Sequence, residues 1–465
     1  MGAIYTRAVS IPQPFAVAIS QGDLDDLRER LIRTRWPLRV PGDDGWQLGA
    51  DPETMRRLVE RWTDGYDWRA REREINELPH FTVDIDGVAV RYLHYRGTGP
   101  ALVLTHGWPG SFLEMRLLAA KLADRGFEVV VPSLPGFGFS PQRPGQTDPW
   151  STPELWHTLM TNVLGHPRYG AHGGDLGAGI TTRLATRRPE ALIGIHLLAA
   201  GAPALQDDAQ LTADEQAFLD EAARWEADRG AYEHEQRTRP VTLSYGLSDS
   251  PVGLLAWLVE KLREWSDSGG DLATRFADDE ILTWVSLYWL TNTIGPSFRP
   301  YSDDYARPSK PEPVIVPTAL AVFPADLVHE PREWVSAATP CSATRACREA
   351  GTSPPSRSPT YWPTTSRRSS PRSNSADPAS HSWLAHRPTP VRGGVILRRR
   401  YNREMADSVS PSSPRSLAFQ AALRHARDQQ RLPRPGRVHS VTVIAWTSSR
   451  KALHLLATPH SEPKR

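Results

Sequence analysis

The chain has 465 residues, of which 39% are hydrophobic and 23% charged, with a formal net charge of +2, which allows one large domain or several. That near-neutral total hides a split, because residues 336–465 hold 22 Lys and Arg against 6 Asp and Glu, leaving 33 basic and 47 acidic residues in residues 1–335. Two cysteines, Cys341 and Cys347, exclude a disulfide framework, and no apolar run approaches the about 18 residues that span a bilayer. Residues 1–17 lack the apolar core of a signal peptide, and Pro12 and Pro14 interrupt them, so a cytoplasmic protein without a membrane span is expected.

In chain order, Asp23 to Trp36 places Leu24, Leu27, Leu31 and Ile32 at helical spacing, and Pro37 ends that helix. Pro52 to Trp62 predicts a second helix with Met55, Leu58, Val59 and Trp62 on one face. Phe81 to Tyr92 alternates with period two across Asp86-Gly87, a hairpin signature. A strand, Ala101 to Thr105, runs into the tight turn His106-Gly107-Trp108-Pro109-Gly110. A helix from about Phe112 to Arg125, a strand at Glu128 to Val131, and a helix from Trp150 to Val163 follow. The segment before Asp175 is only weakly apolar, with Tyr169 and Ala171, whereas Leu176 to Arg187 reads as a helix and Leu192 to Leu198 as a core strand. Thr212 to Thr293 is long, Trp-rich and helical, and Pro313 to Phe323 returns to strand composition. Alternating strands and helices predict an α/β fold with a mostly parallel sheet covered on both faces.

The chemistry concentrates at Gly173-Gly174-Asp175-Leu176-Gly177. This run resembles the small-x-nucleophile-x-small elbow of the α/β-hydrolase fold, and the His106 turn resembles its oxyanion turn, with aspartate in place of serine. A carboxylate that attacks a carbonyl makes a labile anhydride. One that attacks an sp³ carbon makes an ester that water later cleaves, so the elbow points to an epoxide or a carbon–halogen bond. A lone Asp between glycines is more often a turn residue; its place after a strand and before a helix favours the nucleophile.

Further motifs extend the likeness: Trp36-Pro37 with Gly45-Trp46, Pro132 to Ser140, Leu247 to Leu254, Tyr288-Trp289, and Val316-Pro317-Thr318 running on to Phe323-Pro324. With these the chain resembles the epoxide hydrolase family, in its microsomal-type branch with an N-terminal wrapping segment, over roughly Ser10 to Val335. The resemblance implies a helical cap inserted in an α/β-hydrolase core, no cofactor and no metal. It also implies a small-molecule epoxide and water as partners, no nucleic acid, and room for a homodimer. It divides the chain into a wrapping segment with the first hairpin (1–92), the core (93–211), the cap (212–300), a core return (301–335) and a basic Ser/Pro/Arg-rich tail (336–465) expected to be irregular.

Residue by residue, the resemblance makes Asp175 the nucleophile and the N–H groups of Trp108 and Leu176 the oxyanion donors. Tyr232 and Tyr301 become the donors to the epoxide oxygen, and Asp326 the acid that orients a catalytic histidine. His106, Gly107, Trp108 and Pro109 line the turn, with His106 as a brace rather than a proton carrier. Leu176 departs from the family, which usually has Trp after the nucleophile. That departure and the paired tyrosines argue against the alternative of a haloalkane dehalogenase.

The family's histidine loop does not follow Asp326: His329 is too close, and His381 and His386 lie in Ser/Pro/Arg-rich sequence. From Ser336 onward, a reading two bases later with permitted codons encodes a strand, a Gly-Gly-His loop and an acidic amphipathic helix. The expectation is therefore a frameshifted epoxide hydrolase with its general base lost, alternatively a non-catalytic remnant. A nucleic-acid-binding tail is disfavoured because the arginines are scattered among Ser and Pro.

Overall fold

The computed structural model describes residues 10–42, 45–143, 151–199, 210–306, 313–323, 326, 327, 329 and 331, all within a compact unit of residues 1–364. The basic tail from 336, with Cys341, Cys347, His381 and His386, lies outside the described residues.

The N-terminal segment supplies the short strand β1 (Gln13–Pro14) and the helices α1 (Gln21–Ile32), α2 (Pro52–Thr63) and α3 (Trp68–Asn76). Helix α1 stops before the expected Trp36, because both the amide and the hydroxyl of Thr34 turn back onto the Leu31 carbonyl. Helix α2 starts at an Asp51 cap that accepts from the Thr54 amide, with Pro52 in its first turn, and buries Met55, Leu58, Val59 and Trp62. The sequence did not signal α3, whose two large apolar residues, Trp68 and Ile75, stand among charges.

Strands β2 (His80–Ile85) and β3 (Val88–Tyr95) form the expected hairpin, closed by the Ile85–Val88 pair. Its turn needs left-handed backbone at both central residues, and Asp86 and Gly87 take φ of 53° and 78°. Next come β4 (Ala101–Thr105), α4 (Phe112–Ala123), β5 (Glu128–Pro132), α5 (Thr152–Thr158, continued by a π-turn), β6 (Tyr169–Gly173), α6 (Leu176–Arg187) and β7 (Leu192–Leu197). The helical insertion contains α7 (Ala213–Arg229), α8 (Ala231–Thr238), α9 (Pro240–Asp249), α10 (Pro251–Glu264), α11 (Asp278–Thr291), α12 (Ile294–Ser297) and α13 (Arg299–Ala306). Strand β8 (Thr318–Leu320) follows. It is shorter than the expected Pro313–Phe323 strand, since ladder partners exist only at Ile195 to Leu197, and Ile315, Val322 and Phe323 stay exposed.

The sheet runs β1-β2-β3-β5-β4-β6-β7-β8. Its hairpin side is antiparallel, and β5, β4, β6, β7 and β8 are parallel. Val103, Val129, Val130 and Val131 are fully buried at its centre. Helix α2 ties the wrapping segment to α11: Trp62 donates its indole N–H to Ser286 Oγ at 3.0 Å, and Arg61 bridges Asp279 at 2.8 Å. The weakly apolar β6 lies in the middle of the sheet, where small residues are needed. A side chain at Gly170 would press on Leu102 Cδ2 at 2.7 Å. The parallel strands thus deliver two turns to one edge, the His106 turn after β4 and the Asp175 elbow after β6, where α/β sheets bind ligands.

Candidate active site

Asp175 holds φ 50° and ψ −127° at the cap of α6. A β-carbon-bearing residue seldom adopts that left-handed backbone, and strain of this kind concentrates at functional sites. The neighbouring glycines make the bend physically possible. A Cβ at Gly177 would overlap the Thr105 carbonyl, one at Gly173 would overlap the Gly177 carbonyl, and one at Gly107 would collide with Asp175 itself.

The Asp175 carboxylate accepts the Trp108 N–H at 2.8 Å. The Asp175 side chain is open to solvent, yet the protein packed around it pushes its acid up from the ordinary range, opposed by the Trp108 and Leu176 backbone N–H groups. Backbone amides donating to this carboxyl stabilise negative charge there, in the carboxylate and in any tetrahedral oxyanion formed from it.

Trp108 forms the floor of an aromatic box. Tyr232 on α8 stacks on it at 5.4 Å and 7°, and Tyr301 on α13 meets it edge-on at 6.0 Å and 88°. Trp265 packs on both Trp108 and Tyr232. The Tyr301 hydroxyl is shielded from solvent and makes no well-formed hydrogen bond among the described residues, its polar contact being a loose one with the Tyr232 phenol. Burial first, and then the Asp175 charge, push both phenols above their ordinary pKa, so both are protonated donors at neutral pH. The cap therefore delivers two phenols into the field of one carboxylate.

His106 accepts the Leu134 N–H on Nε2 at 3.0 Å, which leaves the proton on Nδ1, facing the Gly107 carbonyl at 3.0 Å. Burial lowers its pKa to about 4, so the ring is neutral and committed to the backbone. The Trp108–Pro109 peptide is cis. Asp326 follows β8 on the same edge of the sheet, but it is exposed, and its Oδ1 accepts the adjacent Leu327 N–H at 2.8 Å. His329 faces Glu221 of α7 at 3.3 Å.

The structure also gathers residues that sequence spacing did not group. Glu114 of α4 accepts the Gly107 N–H on Oε1 at 3.2 Å, placing a second carboxyl beside the oxyanion turn. Its only sequence signal is an acid among Phe112, Leu113 and Met115 in the first turn of a mostly apolar helix. Away from this edge, His94, Glu128 and His166 bring possible metal-ligand atoms within 4.8 Å of one another. Glu128 is already paired there with His94 at 2.6 Å and Arg96 at 3.5 Å. No short ligand motif marks this cluster in the sequence, because its members come from β3, β5 and the loop before β6.

The family described as "Epoxide hydrolase N terminus" matches residues 12–115, and that described as "alpha/beta hydrolase fold" matches residues 100–252. The chain is 38% identical over 337 residues to a Stigmatella aurantiaca protein whose name assigns it provisionally to the epoxide hydrolases, covering 69% of this chain and 76% of that one. It is 30% identical over 369 residues to Epoxide hydrolase 1 of Sus scrofa, covering 70% and 80%. The solved epoxide hydrolase of Aspergillus niger superposes with a TM-score of 0.63 at 29% identity, covering 71% of this chain and 88% of that one.

Proposed function

From the premise that the chain belongs to the epoxide hydrolase family of the α/β-hydrolase fold, and is a hydrolase, we propose that it opens epoxides through a covalent ester on Asp175. One Asp175 oxygen forms a bond to an oxirane carbon as the bond from that carbon to the epoxide oxygen breaks. The electron pair goes to the epoxide oxygen, which takes a proton from Tyr301 or Tyr232. The observation that carries the reading is Asp175 itself, at φ 50°, bound by the Trp108 N–H and acting electrostatically on two phenols, Tyr232 buried and Tyr301 with its hydroxyl shielded. Release of a diol then requires water to attack the ester carbonyl, with the oxyanion held by the Trp108 and Leu176 amides.

That second step needs a general base, for which the sequence offers no family-type loop after Asp326. The proposal is that this chain, frameshifted after Val335, stalls as the alkyl ester and turns over at most once. Styrene oxide treatment followed by intact-protein mass spectrometry and peptide mapping should give one adduct, on Asp175. Steady multiple-turnover diol formation contradicts the stall, and neither adduct nor diol contradicts the nucleophile. Sequencing the gene across the codons for Glu333 to Gly351 tests the frameshift, and an intact frame refutes it.

Carbon–halogen cleavage is disfavoured by two features. Leu176 supplies no indole beside the nucleophile, and the Trp108 indole N–H is committed to Ser297 Oγ at 3.1 Å rather than free for a halide.

A further inference from the structure

Two successive amides of the oxyanion turn each donate to a carboxyl group. The Trp108 N–H goes to Asp175 Oδ1 at 2.8 Å and the Gly107 N–H to Glu114 Oε1 at 3.2 Å. Glu114 Oε2 fills the space that a side chain at Gly110 would need, and Tyr288 Oη donates to the Gly110 carbonyl at 3.0 Å. Glu114 thus braces the turn from beneath while Asp175 meets it from the pocket. Two carboxyls held by successive amides of one turn repel each other, and with Asp175 open to solvent and Glu114 half-buried, a second charge is costlier on Glu114. Asp175 has two backbone donors, Trp108 and Leu176, against one for Glu114. The single negative charge therefore belongs on Asp175 and the proton on Glu114.

We propose that Glu114 is a positioning residue, the proton-bearing member of a two-carboxyl pair with Asp175, so that the oxyanion turn rests on a neutral acid whose charge state follows whether Asp175 is free or alkylated. This inference rests on Asp175 being the nucleophile. The groups that face the Glu114 carboxyl are few: the Gly107 amide from the turn, Asp175 from the elbow, and Tyr288 from α11, whose phenol is itself pushed up by burial, Glu114 and Asp175. Arg116, on the same helix, acts instead with Glu280, Tyr95 and Glu74. No cation offsets a second negative charge among these neighbours. In agreement, burial and then the Asp175 charge, opposed by the Gly107 N–H, raise the Glu114 acid to about 8. The residue retains some solvent contact, so its proton can exchange.

Ester formation neutralises Asp175: its negative charge passes to the epoxide oxygen and, on proton transfer, to the Tyr301 or Tyr232 phenolate, which takes up a proton from solvent at neutral pH because both phenols are pushed well above their ordinary pKa. The repulsion on Glu114 then disappears, and Glu114 ionises at lower pH than before. Infrared spectroscopy of the full chain reads this directly through the C=O stretch of a protonated carboxylic acid. Wild-type protein should show a buried-acid band that titrates away in the alkaline range. Glu114→Gln should lack that band, and both Asp175→Asn and styrene oxide alkylation should move its titration to lower pH. Glu114→Gln, whose amide oxygen still accepts from Gly107, should alkylate faster than Glu114→Leu by roughly ten-fold or more, the effect of leaving one buried amide unpaired.

The idea is overturned if the band is absent, survives in Glu114→Gln, or titrates identically in Asp175→Asn. Failure of styrene oxide to label wild-type protein would instead count against Asp175 as nucleophile. The Asp175→Asn comparison tests the carboxyl pair in either case.

Discussion

Replacing Tyr301 by Phe should move stability and activity in opposite directions. The hydroxyl is shielded and makes no well-formed hydrogen bond among the described residues, only a loose contact with the Tyr232 phenol, while the ring packs edge-on against Trp108 at 6.0 Å and Tyr232 at 6.3 Å. A buried hydroxyl left unpaired costs about 1–3 kcal/mol. Phe keeps the ring contacts and removes that cost, so the variant should be as stable as wild type or more stable, by up to about 1 kcal/mol after allowing for partial relaxation. The same hydroxyl is one of two protonated donors near Asp175. Loss of a general acid slows a reaction by about 10²–10⁴-fold, and with Tyr232 still present the lower end applies. Urea unfolding measures the first effect, and the initial rate of styrene oxide labelling, followed by intact mass, measures the second. A Tyr301→Phe protein that is clearly less stable yet labels within three-fold of wild type would refute the reasoning, because the hydroxyl would then be structural.

Four other outcomes are expected. Glu280 is buried, with its acid raised to about 7 by desolvation against the opposing Arg116 charge. Its folded form binds more protons than its unfolded form between the ordinary 4.5 and about 7, so stability falls as pH rises through that window. Glu280→Gln should therefore unfold at higher urea than wild type above pH 7, with no advantage below pH 4.5; parallel pH curves would contradict this. Gly87→Ala places a Cβ in left-handed backbone with open space around it, costing about 1 kcal/mol in a urea titration with no change in labelling rate. Gly177→Ala drives a Cβ into the Thr105 and His106 carbonyls, so it should lose about 1–3 kcal/mol and most labelling, because the elbow must shift. Equal labelling by both glycine variants would show that the elbow geometry is not needed. Chloroalkanes should release no chloride, as measured by ion chromatography, since the Trp108 indole is already occupied by Ser297.

Local physics made much of this legible in the sequence. The hairpin was readable because Asp86-Gly87 between alternating strands leaves few other conformations. Helix α2 was readable because its cap, its first-turn proline and its apolar face agree. The elbow was readable because a carboxylate flanked by glycines between a strand and a helix has few structural excuses. Helix α3 and strand β6 were not, since charge-rich and Gly-rich segments gain their regular structure from what they pack against.

The sequence by itself determined the hairpin, helix α2 and the carboxylate at the elbow, with the chemistry proposed for it, because these depend on residue type and neighbours along the chain. Only the tertiary structure decided which groups share the field of Asp175. Tyr232, Tyr301 and Tyr288 arrive on cap helices, and Glu114 reaches the turn from beneath. The same holds for His94, Glu128 and His166, which two strands and the loop before β6 bring together. Burial and charge act through space, so protonation state and hydrogen-bond competition are set by contacts that no spacing along the chain encodes.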